Sequence, residues 1–244
     1  MTIEAPKQIP KSMLQGYSMN DTIPIKYAYR NDCGQESQGE YNDNYTAEKL
    51  DLFMNIIKAG GVGGYGMTDI WMYQALKKYP IEEKSVCIVG STAPWYEAMS
   101  LVYGAKDCTV FEYSDRQNVY EKIKYIKPEE IGKSQYDICI SVSSIEHDGL
   151  GRYGDPLDPD GDLRAMKEAK QFLKKDGIMF LSIPAGYDTV FFNVHRVYGE
   201  KRLPLLLKEW DKLDAFGVNQ YTLKNNINNE TSSEYQPVFV LKNS

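Results

Sequence analysis

The stretch VCIVGSTAP (residues 86–94) decides the fold predicted for this chain. It opens with a continuous apolar run, which is typical of a strand buried on both faces of a parallel sheet. Gly90 ends the run, and Pro94 suits the first turn of a helix because its missing N–H would have no partner there. The stretch therefore predicts a strand, a tight turn and a helix in succession, which is the repeating unit of an α/β sheet.

The same alternation of apolar runs and helical patterns continues along the chain. Further strands are predicted at CTVFEY (108–113), 123–126, DICISV (137–142), IMFLSIP (178–184), 212–217 and 237–241. Helices are predicted at about 94–103, 162–174 and 205–210. The polar loop 225–233 fits a long hairpin, so the last strand should return antiparallel. The expected fold is α/β, with a Rossmann-like sheet that is mostly parallel, an antiparallel last strand and helices on both faces.

The region before residue 81 lacks this alternation. It is predicted to form an N-terminal arm and helical cap (1–80) ahead of a Rossmann-like cofactor-binding and catalytic domain (81–244). Residues 1–44 carry scattered Pro, Gly, Asn and Asp, which indicates an irregular arm. A helix with one apolar face starts after Thr46, and a second helix follows the glycine-rich GGVGGYG (60–66). This glycine-rich segment lacks the Lys and Ser/Thr of a phosphate loop, so we interpret it as a flexible hinge or lid.

Composition argues against several classes of function. The 244 residues carry a formal net charge of −6, whereas a general nucleic-acid binder needs a basic surface. No apolar run approaches the roughly 18 residues of a membrane span, and the first residues lack the apolar core of a secretory signal. The four cysteines form no CxxC pair, and three lie inside predicted strands. A reducing, cytoplasmic location without a bound metal is therefore expected.

Two strand ends carry residues suited to a nucleoside. Ligands of open α/β sheets bind outside the carboxyl ends of the strands. Gly90 and Ser91 stand at the first such end, where the N–H groups of the following helix can hold a ligand. Glu112 stands at the next strand end, where a carboxylate can accept hydrogen bonds from a ribose. Since the turn lacks GxGxxG, a nucleoside without phosphates, such as S-adenosylmethionine, is favoured over a dinucleotide.

Five longer strings carry a resemblance to a known family. They are GEYNDNYT (39–46), DIWMYQALKKYP (69–80), PWYEA (94–98), SSIEHDGLGRYGDP (143–156) and FNVHRVYG (192–199). With the pairing of Gly90 and Glu112, they resemble a family of class I S-adenosylmethionine-dependent methyltransferase-like proteins known as a domain of unknown function. The match spans roughly residues 29–210, and GSTAP replaces the GxGxG turn of typical methyltransferases. The resemblance implies S-adenosylmethionine as the cofactor and methyl transfer as the activity.

In methyltransferases of this class, the fourth strand ends beside the transferred methyl group, so the loop after it faces the acceptor. The resemblance therefore places Glu146 and His147 where a hydroxyl or amine must lose its proton. His147 suits a general base because an imidazole with a pKa near 6.5 accepts a proton at neutral pH. His195 follows the fifth strand at the same sheet edge and is the third catalytic candidate.

The remaining candidates concern binding. Ser143 and Tyr65 are expected to contact the cofactor, and Arg152, Tyr153 and Arg196 the acceptor. Paired guanidinium groups suggest an anionic acceptor, although either could pair with a neighbouring Asp. The expected acceptor is a small polar molecule methylated on O or N, such as a sugar or a phosphorylated metabolite of glycan biosynthesis. Two alternatives stay open: a non-catalytic nucleoside-binding module, and a nucleotide-sugar or dinucleotide enzyme on a related fold.

Overall fold

A computed structural model describes residues 5–32, 45–112, 116, 120–132, 135–225, 228 and 235–244. The strands are β1 (Ile25–Ala28), β2 (Ser85–Val89), β3 (Asp107–Phe111), β4 (Ile123–Ile126), β5 (Tyr136–Val142), β6 (Leu173–Ser182), β7 (Thr189–Asn193), β8 (His195–Val197), β9 (Asp211–Phe216) and β10 (Val238–Lys242). The α-helices are α1 (Leu14–Tyr17), α2 (Ala47–Lys58), α3 (Met67–Lys78), α4 (Trp95–Val102), α5 (Gly161–Phe172) and α6 (Arg202–Leu206). Short 3-10 helices cover Lys11–Met13, Pro128–Glu130, Ile145–His147 and Thr222–Lys224.

Seven strands form one sheet in the order β4-β3-β2-β5-β6-β10-β9. The strands from β2 to β6 pair in parallel, whereas β10 pairs antiparallel with both β6 and β9. The expected α/β sheet with an antiparallel last strand is therefore confirmed. The strand order reverses between β2 and β5, and ligands of such sheets bind at this point, outside the carboxyl ends of the strands.

Alternate side chains of β2 enter two separate hydrophobic cores, as the period of a strand requires. Val86 and Ile88 pack on one face with residues of α2, α3 and α4. Cys87 packs on the other face with residues of α5 and α6. Helices thus cover both faces, as expected. The division of the chain at residue 80 stays a prediction, because α2 and α3 share one core with the strands of the sheet.

The N-terminal region is more regular than its sequence suggests. Thr46 caps α2 as expected, since its Oγ1 accepts the N–H of Lys49 at 3.1 Å. The arm expected to be irregular over residues 1–44 contains α1 and β1, and β1 pairs in parallel with β7 in a second sheet of order β1-β7-β8. The four residues of β1 are all at least partly exposed, so their sequence shows no alternation of buried and exposed positions. Its partner strand, β7, lies far along the chain. Residues 33–44 and most of the polar loop 225–233 lie outside the described residues.

Two predicted helices have different bounds. The helix expected to reach residue 174 ends at Phe172, because Leu173 already pairs with Tyr136 of β5. Lys174, which was expected in the last turn of this helix, therefore lies in β6. Its amino group donates to Asp137 Oδ1 at 2.8 Å. The short helix expected at 205–210 is α6, displaced towards the N-terminus.

Three observations bear on membranes, metals and thiols. No helix in the described ranges is long and apolar enough to cross a membrane. No group of three His, Cys, Asp or Glu side chains in those ranges is arranged to hold a metal ion. Cys87, Cys108 and Cys139 are buried free thiols in β2, β3 and β5, consistent with the role of small apolar side chains.

Candidate active site

Two turns leave the sheet side by side at the point where the strand order reverses. Val89 of β2 pairs with Ser141 of β5, so the two strands end next to each other. Gly90 follows β2 with a φ of +70°, and a Cβ added there would lie 2.7 Å from Ser144 Oγ. Ser143 follows β5 and is also left-handed, with a φ of +51°. Positive φ and close approach together require glycine at position 90.

Ser91 is the centre of the first group of polar side chains. Its N–H donates to Glu112 Oε2 at 3.2 Å, and its Oγ donates to Glu97 Oε1 at 2.6 Å. The hydroxyl of Tyr45 donates to the carbonyl of Ser91 at 2.5 Å. These four residues, here called the β2 cluster, join the segment before α2, the turn after β2, helix α4 and the end of β3. The predicted cofactor residues Gly90, Ser91 and Glu112 are thus brought together.

Glu97 has an unusual environment for a carboxyl group. It is 0% exposed, and burial raises its pKa to about 7, while the hydrogen bond from Ser91 works in the opposite direction. Within the described part of the chain, no hydrogen-bond donor reaches its second oxygen, Oε2. Buried carboxyl oxygens are normally hydrogen-bonded, so Oε2 is able to accept a further donor.

The second group of polar side chains lies at the end of β5. Ser143 Oγ donates to Glu146 Oε1 at 2.7 Å, and it accepts from Gln236 Nε2 at 3.3 Å. The hydroxyl of Tyr65 lies near Ser143, which partly offsets the rise that burial causes in the pKa of Tyr65. We call these four residues together with His147 the β5 cluster. Four predicted cofactor or catalytic residues therefore meet here, and Gln236 joins them from the segment before β10.

Glu146 resembles Glu97 in its electrostatics. It is 0% exposed, and burial raises its pKa to about 7. The hydrogen bond from Ser143 and the charges of Arg152 and Arg196 partly offset this effect. Among the described residues, its Oε2 also has no hydrogen-bond partner.

His147 is held in one tautomer. Its Nδ1 lies 2.7 Å from the carbonyl oxygen of Val194, and since a carbonyl can only accept, Nδ1 carries the hydrogen and Nε2 keeps its lone pair. Nε2 lies 3.6 Å from Glu146 Oε1. Burial, followed by the charge of Arg152, holds the pKa of His147 well below its ordinary value of 6.5. The imidazole is therefore neutral at physiological pH.

Arg152 and Tyr153 lie beside this imidazole. Arg152 Nε donates to Asp32 Oδ2 at 2.6 Å, and its Nη1 donates to the carbonyl of Val194 at 3.3 Å. Its guanidinium stacks over the Tyr153 ring at 5.0 Å. Tyr153 is 42% exposed and packs edge-on against His147, with the ring centres 5.5 Å apart. Two of the three predicted acceptor residues are thus at the site, and Asp32 of the N-terminal arm joins them.

Arg196, the third predicted acceptor residue, is 1% exposed. Its Nη1 donates to the carbonyls of Glu146 at 3.3 Å and Asp148 at 2.6 Å. Its Nη2 donates to the carbonyls of Asp158 at 3.2 Å and Pro159 at 3.4 Å. The guanidinium therefore holds the backbone of the loop after β5, and this geometry favours a structural role over the predicted contact with an acceptor.

His195, a predicted catalytic residue, is buried in β8 and packs against Phe191, with ring centres 5.2 Å apart. It is close enough to contribute to the lowered pKa of His147. The structure thus brings the two histidines near each other, and the catalytic role of His195 stays a prediction.

The glycine-rich segment before α3 is attached to the helices around it. The buried carboxylate of Asp69 accepts the N–H of Gly63 at 2.7 Å, the indole N–H of Trp95 at 3.0 Å and the hydroxyl of Tyr96 at 2.9 Å. A Cβ added at Gly63 would lie 2.8 Å from the Trp95 ring. These hydrogen bonds fix the glycine-rich segment in the position where Tyr65 lies at the β5 cluster. A movement of this segment as a lid would have to break them first.

Sequence reasoning missed five residues of the site: Asp32, Tyr45, Asp69, Glu97 and Gln236. A signal exists for Glu97, because a glutamate in the apolar helix WYEAMS comes directly after the predicted ligand-binding turn. Tyr45 and Asp69 lie in two of the strings that carry the resemblance, but nothing in those strings assigns them a role, and only the tertiary fold brings the missed residues to the sheet edge.

The seven-stranded, mostly parallel sheet with helices on both faces matches the Rossmann-like fold of S-adenosylmethionine-dependent methyltransferases. The chain is similar to Burkholderia thailandensis 1,6-didemethyltoxoflavin-N1-methyltransferase, whose crystal structure holds 1,6-didemethyltoxoflavin and S-adenosylhomocysteine. That similarity covers 99% of this chain and 93% of the other, at 14% identity and a TM-score of 0.55. The N-methyltransferase NodS from Bradyrhizobium japonicum WM9, in complex with S-adenosylhomocysteine, is also similar: 85% of this chain, 97% of the other, 10% identity and a TM-score of 0.51.

Residues 83–243 match the family described as Caenorhabditis protein of unknown function, DUF268. The chain belongs to this family. No curated protein matches its sequence. The expected resemblance to a methyltransferase-like family of unknown function is therefore confirmed, although the match starts later and ends later than the expected range of 29–210.

Proposed function

We propose that this protein is an S-adenosylmethionine-dependent methyltransferase that acts on the O or N of a small polar acceptor. The observation that carries the proposal is the adjacency of the two clusters. A turn suited to a nucleoside and a group of acid–base side chains leave neighbouring strands at the place where ligands bind in this type of sheet. The methyltransferase fold supports the same conclusion.

The residues of the β2 cluster fit the cofactor. Gly90 allows the turn to pass close to Ser144, whose Oγ a Cβ would meet at 2.7 Å, and Glu112 Oε2 accepts the N–H of Ser91 at 3.2 Å at the neighbouring strand end. A carboxylate in this position can accept both hydroxyls of a ribose. When bound, S-adenosylmethionine supplies an electrophilic methyl group. Ser143 and Tyr65 would approach it from the β5 side.

The β5 cluster would take a proton from the acceptor. A general base is most effective when its pKa lies near the working pH, and Glu146, with a pKa of about 7, meets this condition. His147 meets it less well, because burial and Arg152 disfavour its protonated form. We therefore assign the base to Glu146, which takes the proton of the reacting O–H or N–H. His147 Nε2 has the separate role of accepting a hydrogen bond from a second O–H or N–H of the acceptor.

The surroundings favour a neutral polar acceptor over an anionic one. Arg196 is committed to backbone carbonyls, and Arg152 already pairs with Asp32 at 2.6 Å. An O–H or N–H group needs a base, whereas an ionised phosphate does not. A sugar hydroxyl or an amine is thus the preferred acceptor, and the similar structures, both N-methyltransferases by name, support the amine.

Calorimetry with S-adenosylmethionine, S-adenosylhomocysteine, NAD and UDP-sugars tests the proposal. We expect the first two to bind and the others not to bind. Binding of NAD or a UDP-sugar alone would contradict it and favour an enzyme on a related fold. Transfer of a labelled methyl group to a panel of sugars and amines then separates an enzyme from a non-catalytic binding module, which binds S-adenosylhomocysteine without turnover.

A further inference from the structure

The second oxygen of Glu97 points to a ligand group that none of the roles above uses. Glu97 lies in the first turn of α4, is 0% exposed and has one oxygen occupied by the hydroxyl of Ser91. Its Oε2 has no donor within hydrogen-bond distance in the described part of the chain. Leaving a buried polar atom unpaired is unfavourable, so a partner for Oε2 is expected when the site is filled.

The groups that face Glu97 are mostly neutral or acidic. Tyr45 bonds to the turn at Ser91, and the charge of Glu112 raises the pKa of Glu97 further. Arg116 acts in the opposite direction, but its guanidinium stacks over the Tyr45 ring at 4.6 Å. The phenol of Tyr125 and the thiol of Cys108 are both close enough for Glu97 to raise their pKa values.

We propose that Glu97 binds the positively charged amino group at the amino-acid end of S-adenosylmethionine. This inference rests on the proposed function and assigns a residue to a different part of the same ligand. The ribose hydroxyls belong to Glu112, and the exocyclic amine of adenine is uncharged. A sulfonium carries no N–H or O–H donor. The ammonium group alone offers both donors and the positive charge that a buried carboxylate needs.

A purely structural role for Glu97 leads to a different expectation. In that case its task is to accept the hydroxyl of Ser91, and a glutamine performs it equally well because its amide oxygen is also an acceptor. Binding of an ammonium group requires the negative charge. Glu97→Gln therefore separates the two roles with little change in shape.

The test compares two ligands and two variants by calorimetry. S-adenosylhomocysteine contains the amino-acid end, whereas 5′-methylthioadenosine shares its adenosine and lacks that end. Glu97→Gln should weaken S-adenosylhomocysteine binding about 10- to 100-fold and leave 5′-methylthioadenosine unchanged. Glu112→Gln, the matched control at the ribose, should weaken both ligands to a similar degree.

The pH dependence of the wild-type protein gives a second readout that needs no variant. An ammonium group binds the ionised carboxylate, and Glu97 has a pKa of about 7. The affinity for S-adenosylhomocysteine should therefore fall about tenfold between pH 8 and pH 6, while that for 5′-methylthioadenosine stays level. If Glu97→Gln does not fold, this comparison decides.

The outcomes separate the inference from the proposed function. Wild-type protein that binds neither ligand contradicts both. Wild-type protein that binds both ligands, with Glu97→Gln affecting neither or both equally, overturns the inference and leaves the methyltransferase proposal standing. Equal pH dependence for the two ligands also overturns it.

Discussion

The β2 and β5 clusters are built alike, but they differ in the charges around them. Each starts with a left-handed residue at a strand end, Gly90 or Ser143, and each contains a serine hydroxyl bonded to a fully buried glutamate. Glu97 faces another carboxylate and two phenols, and has a single arginine nearby. Glu146 has His147 and two arginines nearby.

This difference shows how one local design can serve two purposes. A buried carboxyl with few nearby cations is suited to receiving a cation from a ligand, which lowers its pKa on binding. A buried carboxyl beside a neutral imidazole is suited to exchanging a proton near neutral pH. The glutamates look the same in isolation, and their neighbours assign binding to one and acid–base chemistry to the other.

The largest expected effect concerns turnover at the β5 cluster. Glu146→Gln should lower kcat by about 10²- to 10⁴-fold, as expected for a missing general base, with little change in S-adenosylhomocysteine affinity. The wild-type rate should rise with pH through about 7 as Glu146 ionises, and the variant should lose this rise. His147→Gln should cost less, because an amide still accepts a hydrogen bond. The reverse ranking in steady-state kinetics would return the base to His147.

Stability should respond to pH through both glutamates. The pKa of each glutamate is about 7 in the folded state and 4.5 ordinarily. Between these two pH values the folded protein binds more protons than the unfolded chain, so its stability falls as the pH rises from 4.5 to about 7. Burial of each ionised carboxylate then costs about 3 kcal/mol at pH 8. Glu97→Gln should remove most of the pH-dependent loss of stability that Glu97 causes. Urea unfolding of both proteins at pH 5 and pH 8 measures this.

A control is needed because His147 acts in the opposite direction. Its pKa is lowered, so the folded state gains stability as the pH rises through 6.5. Glu97→Gln leaves that contribution in place, and only the difference from wild type is compared. A difference between the two proteins that does not change with pH would contradict the raised pKa of Glu97.

A smaller effect is expected from the backbone of the first turn. Gly90→Ala should lower the free energy of unfolding by about 1–2 kcal/mol from its left-handed φ, and further because its Cβ meets Ser144 Oγ at 2.7 Å. Adding Ser144→Gly should restore the part of the stability that the collision removes, but not the part that the left-handed φ removes. Ser143→Gly, at the matching position, should relieve backbone strain. Equal stability of Gly90→Ala and wild type would show that the turn adapts.

The smallest effect is expected in the glycine-rich segment. The N–H of Gly63 already bonds to Asp69 at 2.7 Å, so cofactor should slow its hydrogen exchange only slightly. Asp69→Asn, which weakens this bond, should speed the exchange without ligand by about tenfold. Strong additional protection on adding S-adenosylhomocysteine would instead support the lid expected from the sequence.

Sequence patterns predicted the parts of the molecule that depend on nearby residues. The apolar run before Gly90 and the weak run at 123–126 both became strands, because the apolar residues that mark such strands lie within a few positions of one another. The strand β1 was missed since its pairing with β7 involves residues far apart in the chain. Burial of Glu97 was missed for the same reason: a glutamate in the first turn of a helix is usually solvated, and Tyr45 is contributed by a distant segment.

The position of β10 has a consequence for how the chain must assemble. This strand comes last among those described, but in the sheet it lies between β6 and β9. Until it inserts, β6 presents an open edge and β9 has no neighbour, and open edges recruit other chains. During synthesis, the strands made earlier must leave the position between β6 and β9 free for β10, and this stage is exposed to misassembly. A chain cut before Val238 would therefore be expected to aggregate, even though every residue of the two clusters would still be present.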